Sequence, residues 1–96
     1  MNLINLLQAK REDILEVAAK WGARNVRLFG SVARGEELAQ SDVDFLVQMG
    51  PGRSLIDLVG LWQDLEELLD CKVDAITDGG VSPHMQNRIY AEAIAL

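Results

Sequence analysis

The stretch that decides the fold covers residues 29–47 and has the sequence FGSVARGEELAQSDVDFLV. Residues 26–29 (VRLF) are rich in strand-forming types, so we predict a short strand that ends at Phe29. Gly30 allows the chain to turn sharply into a helix that begins near Ser31. The start of a helix presents unpaired backbone N–H groups and the positive end of the helix dipole, which attract anions. Gly30 and Ser31 are therefore predicted to form a phosphate-binding turn.

Two carboxylates follow this turn. Asp42 and Asp44 stand two apart at the start of a second apolar strand, predicted over residues 43–47, so strand alternation places both on one face. Val43, Phe45 and Val47 point the other way, into a core. Carboxylates so close repel each other unless a cation compensates, and Mg²⁺ takes oxygen ligands from carboxylates and substrate phosphates. The sequence therefore predicts a site for a metal-bound triphosphate, and hence nucleotide chemistry.

The spacing of these residues matches a known pattern. Gly-Ser-x-Ala-Arg-Gly, five residues and Ser-Asp-x-Asp are met at every fixed position from Gly30 to Asp44. The chain thus resembles the minimal nucleotidyltransferases of prokaryotes, in the DNA polymerase beta-like superfamily. That family also has a third acidic residue on a later strand. Residues 72–77 (KVDAIT) predict an alternating strand whose Asp74 can join the first two carboxylates.

The resemblance implies a nucleotidyltransferase that moves AMP from ATP to a hydroxyl and releases pyrophosphate. Two Mg²⁺ ions would be bridged by Asp42 and Asp44, and Asp74 would bind the catalytic ion and help to deprotonate the hydroxyl. Gly30 and Ser31 would hold the β- and γ-phosphates. The preference for adenine rests on the resemblance alone, because nothing in the chain is recognisable as a base-binding element.

Simpler interpretations remain for some of these residues. Arg34 either contacts phosphates or pairs with Glu36 or Glu37 on the helix surface. Ser31 can cap the short helix and bind phosphate at once, since the same N-terminus does both. Asp74 alone on an edge strand would be ordinary. The pair formed by Asp42 and Asp44 has a stronger functional interpretation, because aspartate is disfavoured in strands.

Length and composition set outer limits. The 96 residues are predicted to form a single domain (residues 1–96), too short for separate catalytic and substrate domains. A net charge of −6 disfavours general nucleic-acid binding, and the alternative interpretation is that the charge serves only solubility. The single Cys71 excludes an intrachain disulfide, and no signal peptide or membrane-spanning run is evident. We expect a soluble, cytoplasmic protein with no membrane association.

The predicted element order is helix, strand, short helix, strand, helix, strand, helix. The first helix runs from Leu7 or Arg11 to Trp21, and a capping box of Ser54 with Asp57 opens the third. The last helix starts at Ser82-Pro83 and reaches about Ala95. The third helix is expected to bury a periodic set of side chains against the sheet: Leu55, Leu58, Val59, Trp62, Leu65 and Leu69. The fold class is α+β, with about three strands in a small mixed sheet. The first two strands are antiparallel, and a helical crossover joins the second and third.

The acceptor is not evident from the residues. The resemblance implies a partner, a helical HEPN-type RNase toxin, which such proteins neutralise by binding or by AMP transfer to a tyrosine, so the chain would be an antitoxin. One alternative is a binding module that neutralises its partner by contact alone. Another is a nucleotidyltransferase acting on a small molecule, although such relatives usually carry a further helical domain. A homo-oligomer and a hetero-oligomer both remain open.

Overall fold

The computed structural model describes residues 3–33, 43–80 and 83–96. Its helices and strands, in chain order, are α1 Leu3–Ala9, α2 Arg11–Lys20, β1 Ala23–Phe29, α3 Gly30–Ala33, β2 Val43–Met49, α4 Leu55–Leu69, β3 Val73–Thr77, a 3₁₀ turn Asp78–Gly80, α5 Gln86–Glu92 and β4 Ile94–Ala95.

The strands form one mixed sheet in the order β3-β2-β1-β4. Strands β1 and β2 are antiparallel, β2 and β3 are parallel and joined through α4, and β4 pairs antiparallel with β1. The predicted α+β class, the antiparallel first pair and the helical crossover are confirmed. Among the residues that the structure describes, the sheet has four strands where about three were predicted, and β4 is the one not foreseen.

One face of the sheet carries the main core. Val43, Phe45 and Val47 of β2 are completely buried there, which confirms the alternation predicted for this strand. Helices α2 and α4 cover this face, the former through Ile14 and Ala18 and the latter mainly through leucines. Burial of these apolar side chains is the main force that holds the helices on the sheet.

The opposite face of the sheet has a smaller apolar cluster and the polar residues of interest. Leu46 of β2 is completely buried against Ile89 of α5, with Phe29 and Ile76 beside them. Asp44 is two residues from Leu46 and therefore lies on the same face of the strand. This second face is the one that the candidate site occupies.

The N-terminal helix is divided in two. Lys10 adopts φ −99° and ψ 13°, which separates α1 from α2, and its Nζ donates a hydrogen bond to the carbonyl of Leu68 at 3.2 Å. Strand β1 also begins earlier than predicted, at Ala23 rather than Val26. Its first part contains an irregularity around Asn25, whose φ is +51°. The regular alternation by which a strand is recognised in a sequence is therefore missing there.

Helix α4 begins as predicted but buries a different face. The Ser54 side chain accepts the N–H of Ile56, and the Asp57 carboxylate accepts the N–H of Ser54 at 2.9 Å, so the capping box is confirmed. Within the predicted set, Leu65 and Leu69 are buried and Leu58 is half-buried, and Leu61 joins them. Three members of the set were placed wrongly, because Leu55, Val59 and Trp62 are exposed.

The last helix is shorter than predicted. Helix α5 begins at Gln86, after Met85, and ends at Glu92, where the chain extends into β4. Ile94 and Ala95 pair with Leu28 and Arg27, because the edge of β1 offers them backbone hydrogen-bond partners. Pro83 stands outside the helix, and Ser82 is outside the described residues. Within the described ranges, no helix is long and apolar enough to cross a membrane.

Candidate active site

The predicted turn lies where β1 passes directly into α3. Gly30 is the first residue of α3 and has φ +76°, a backbone conformation that residues with a Cβ rarely adopt. A Cβ at Gly30 would fall on Asp44 Oδ2 and would lie 3.2 Å from Asp44 Cγ. Val32 is completely buried and fixes the short helix to the core. Glycine is therefore required here both for the turn and for the close approach of the turn to the carboxylate.

Asp44 and Asp74 lie side by side. In the parallel pairing of β2 with β3, Asp44 is opposite Asp74, so both side chains leave the same face of strands about 4.8 Å apart. On the other side of β2, Asp44 is opposite Phe29, the last residue before the Gly30 turn. Asp44 is half-buried, whereas Asp74 is exposed. The structure thus brings together Gly30, Asp44 and Asp74, which are far apart in the sequence.

This arrangement suits a hard divalent cation. Two carboxylates on neighbouring strands supply oxygen donors of the kind that Mg²⁺ prefers, and the missing side chain at Gly30 lets Asp44 Oδ2 lie directly against the turn. The part of the chain that the structure describes contains no group of three or more His, Cys, Asp or Glu residues suited to a metal. Asp42, the predicted third carboxylate, lies outside the described residues.

The other predicted site residues are only partly accounted for. Arg34 and Asp42 fall in the range 34–42, which the structure does not describe. The backbone of Ser31 is in α3, as predicted. Two roles therefore remain predictions: metal binding by Asp42, Asp44 and Asp74, and nucleotide binding by Gly30, Ser31 and Arg34.

A polar network missed by the sequence analysis lies toward the other end of the same sheet face. Arg27 of β1 donates from Nη2 to Asp78 Oδ1 at 2.7 Å, and Gln48 of β2 donates from Nε2 to Asp78 Oδ2 at 2.8 Å. The arginine side chain is only 15% exposed, so this is a partly buried ion pair. Arg27 and Gln48 are 51 and 30 residues from Asp78 in the chain, and no local sequence pattern signals such contacts.

A groove of about 590 Å³ adjoins this network, with Gln48, Asp78, Arg24 and Arg53 among its lining residues. It lies at the ends of β2 and β3 opposite those that carry Asp44 and Asp74. The carboxylate pair therefore does not open into this groove.

Comparison with known proteins agrees with this geometry. Residues 11–96 match the family described as "Nucleotidyltransferase domain", and the chain belongs to that family. It is accordingly a nucleotidyltransferase, an enzyme of the transferase class. The resemblance expected from residues 30–44 is thereby confirmed.

Two relatives are similar over almost their whole length. "Putative protein adenylyltransferase MJ0435" of Methanocaldococcus jannaschii is 41% identical over 91 residues, covering 95% of this chain and 97% of the relative. "Protein adenylyltransferase MntA" of Thermococcus cleftensis is 30% identical over 90 residues, covering 94% and 88%. Both names describe transfer of an adenylyl group to protein.

Solved structures share the fold. One described as a "putative minimal nucleotidyltransferase" superposes with a TM-score of 0.88 at 44% identity and covers 100% of this chain and 97% of the other. A complex of a tri-AMPylated Shewanella oneidensis HEPN toxin with an MNT antitoxin contains a chain with a TM-score of 0.69 at 20% identity, covering 92% and 69%. At that identity the second likeness concerns the fold alone.

Proposed function

We propose that this nucleotidyltransferase transfers AMP from magnesium-bound ATP to a tyrosine hydroxyl of a HEPN-type toxin, and so acts as the antitoxin of a toxin–antitoxin pair. The observation that carries the proposal is the register of β2 with β3, which sets Asp44 beside Asp74, together with the Gly30 turn against Asp44. A turn suited to phosphate and adjacent carboxylates suited to magnesium are what a metal-bound triphosphate requires.

Each residue has a distinct part in the proposed reaction. Asp44 and Asp74, with Asp42, would hold Mg²⁺, which when bound stabilises the charge on the transferring phosphoryl group. Backbone N–H groups at Gly30 and Ser31 orient the β- and γ-phosphates. The acceptor oxygen attacks the α-phosphorus, the bond from that phosphorus to the bridging oxygen breaks, and pyrophosphate leaves. The hydroxyl proton passes to a carboxylate oxygen of Asp74.

The position of Asp74 supports a large acceptor. It stands on β3, which lies at one end of the strand order and is therefore an edge strand, and its side chain is exposed. A hydroxyl carried on another protein can reach such a group without entering a deep cavity. The names of the two relatives, which specify protein as the acceptor, support the same class of substrate. The choice of a HEPN-type toxin draws on the complex that contains an AMPylated toxin and an MNT antitoxin.

The test compares Asp74→Asn with Asp13→Asn, an exposed carboxylate on α2 that serves as a matched control. Each variant is incubated with Mg-ATP and the proposed partner, a purified HEPN-type toxin. Both chains are then weighed by mass spectrometry, and the RNase activity is assayed. We expect Asp74→Asn to lose about 10²- to 10⁴-fold in transfer rate, the range for removing a general base, while Asp13→Asn keeps the wild-type rate.

The RNase assay separates catalysis from contact. Toxin treated with Asp74→Asn should stay active even though the two proteins still bind, whereas toxin treated with Asp13→Asn should be silenced. If Asp74→Asn silences the toxin fully without adding AMP, neutralisation occurs by contact and the proposed function is wrong. If Asp74→Asn transfers AMP at the wild-type rate, the assignment of Asp74 is wrong.

A further inference from the structure

The outward side of α4 is unusually apolar for a helix surface. Leu55 and Ile56 are 73% and 79% exposed, and Val59 and Trp62 are also exposed. We call these four residues the α4 outer face. Contiguous exposed apolar area of this kind on a soluble protein commonly marks a site of protein association. The face lies on the opposite side of the sheet from Asp44 and Asp74, because α4 packs on the core face.

A shallow apolar groove runs along this face. Its volume is about 370 Å³, and it is lined by Trp21, Leu55, Ile56, Val59, Gly60 and Gln63. Gly60 has no side chain, and the Trp21 ring lies so close that an added Cβ would be 2.5 Å from Cη2. The Trp21 ring therefore covers α4 at Gly60 and forms one wall of the groove.

The charges at the two ends of α4 have opposite sign. Arg53 immediately precedes the N-cap and is 41% exposed; it pairs with Asp57 at 3.3 Å but has five donors and so retains capacity for a second acceptor. Glu67 is exposed and lies eleven residues beyond Ile56, three helical turns along, on the same side of the helix. The apolar face is therefore bordered by a cation at one end and an anion at the other.

We propose that the α4 outer face binds a second copy of this chain through an antiparallel α4–α4 contact across a two-fold axis. Such an axis near residue 60 sets Arg53 of each copy opposite Glu67 of the other. The surface is self-complementary in charge, as an isologous contact requires. The contact leaves Asp44 and Asp74 of both copies on the outer faces of the dimer, uncovered by the partner. This proposal is independent of the acceptor and of catalysis.

The test measures mass as a function of protein concentration. Sedimentation equilibrium in about 0.15 M salt, which screens repulsion between chains of net charge −6, should show a mass of twice 10.6 kDa for the wild-type chain at high micromolar concentration. Ile56→Glu should remain monomeric under these conditions. Met85→Glu, an exposed apolar residue before α5, is the matched control and should dimerise like the wild type.

Charge exchange tests the orientation. Arg53→Glu and Glu67→Arg should each weaken dimerisation about 2- to 30-fold, since each removes two symmetry-related exposed ion pairs. The double variant should recover it, because the pair is restored in reverse. A wild-type chain that stays monomeric overturns the proposal, as does a dimer that Ile56→Glu leaves intact. If the double variant dimerises no more tightly than the single variants, the antiparallel contact is excluded. Circular dichroism melts exclude unfolding as the cause.

Discussion

Replacing Gly30 by alanine tests the link between the turn and the carboxylate directly. At φ +76° an alanine is strained by about 1–2 kcal/mol because its Cβ approaches the carbonyl oxygen of its own residue. The same Cβ would fall on Asp44 Oδ2 and lie 3.2 Å from Cγ, so the aspartate has to leave its present position. We therefore expect a loss in unfolding free energy of about 1–3 kcal/mol and, separately, a loss of the metal-binding geometry.

Gly52→Ala separates these two effects. Gly52 has φ +78°, almost the same as Gly30, but an added Cβ there meets nothing within 4 Å. Both variants carry the same backbone strain, and only Gly30→Ala displaces Asp44. Affinity for Mg-ATP should therefore fall about tenfold or more in Gly30→Ala, the loss expected for one charge-assisted contact, and should be unchanged in Gly52→Ala.

Urea denaturation followed by circular dichroism gives the unfolding free energies, and isothermal titration calorimetry with Mg-ATP gives the affinities. If folded Gly30→Ala binds Mg-ATP as tightly as Gly52→Ala does, Asp44 is not part of the nucleotide site and the reasoning fails. If Gly30→Ala is the more stable of the two, the close contact with Asp44 is absent.

Three further predictions concern parts of the chain away from the reaction centre. Gly60→Ala should lower the unfolding free energy by about 1–3 kcal/mol in urea denaturation, because the new methyl group forces the Trp21 ring off α4. The pKa of Asp64 is held below its usual value, first by the hydrogen bond from the Trp21 indole at 2.8 Å and then by Lys20. Because the pKa of Asp64 is lower in the folded than in the unfolded chain, its charged carboxylate stabilises the fold above pH 3.8, the pKa of the unfolded state. This stabilisation is lost as the pH falls through the lowered pKa of the folded state. Asp64→Asn should therefore lose less stability than the wild type between pH 5 and pH 2.5. Asp78→Asn should cost about 1–3 kcal/mol in the same denaturation assay, because it leaves the Arg27 guanidinium partly buried without its ion pair, and should leave Mg-ATP affinity unchanged.

Matched controls make these outcomes decisive. Gly79→Ala places a methyl group in open space and should change the unfolding free energy little. If Gly60→Ala changes it as little as Gly79→Ala does, overpacking against Trp21 is excluded. Asp13→Asn should keep the acid sensitivity of the wild type. An Asp64→Asn variant with the same sensitivity would show that this carboxylate contributes nothing. A large fall in Mg-ATP affinity in Asp78→Asn would mean that the polar network and the carboxylate pair are coupled.

Sequence reasoning succeeded where the signal was local. The Gly30 turn depends on one residue and its neighbours, and strand alternation alone assigns Asp44 to the face opposite Val43 and Phe45. The capping box of Ser54 is likewise contained within four residues. Asp74 could be proposed from its strand pattern, but its place directly opposite Asp44 is a property of the pairing between β2 and β3.

The failures arise where a distant part of the chain decides. Ile94 and Ala95 form a strand only because β1 has an open edge for them, and no pattern within the last ten residues reveals that edge. The apolar positions of α4 can be arranged as two overlapping helical stripes, and the sheet selects the one that contains Leu61 and Leu65. Leu55 belongs to the stripe that the sheet does not cover.

The side-by-side placement of Asp44 and Asp74 has an entropic consequence. Their spacing is set by the backbone hydrogen bonds of two neighbouring strands, and the side chains that lock this register, Val43, Phe45 and Val73, are completely or almost completely buried on the reverse face. Ordering these two backbones is therefore completed when the chain folds, and a cation bound between the carboxylates would not incur that cost again. Small changes in core volume, at positions that no nucleotide touches, should consequently alter metal affinity, because the core fixes the distance between the carboxylates.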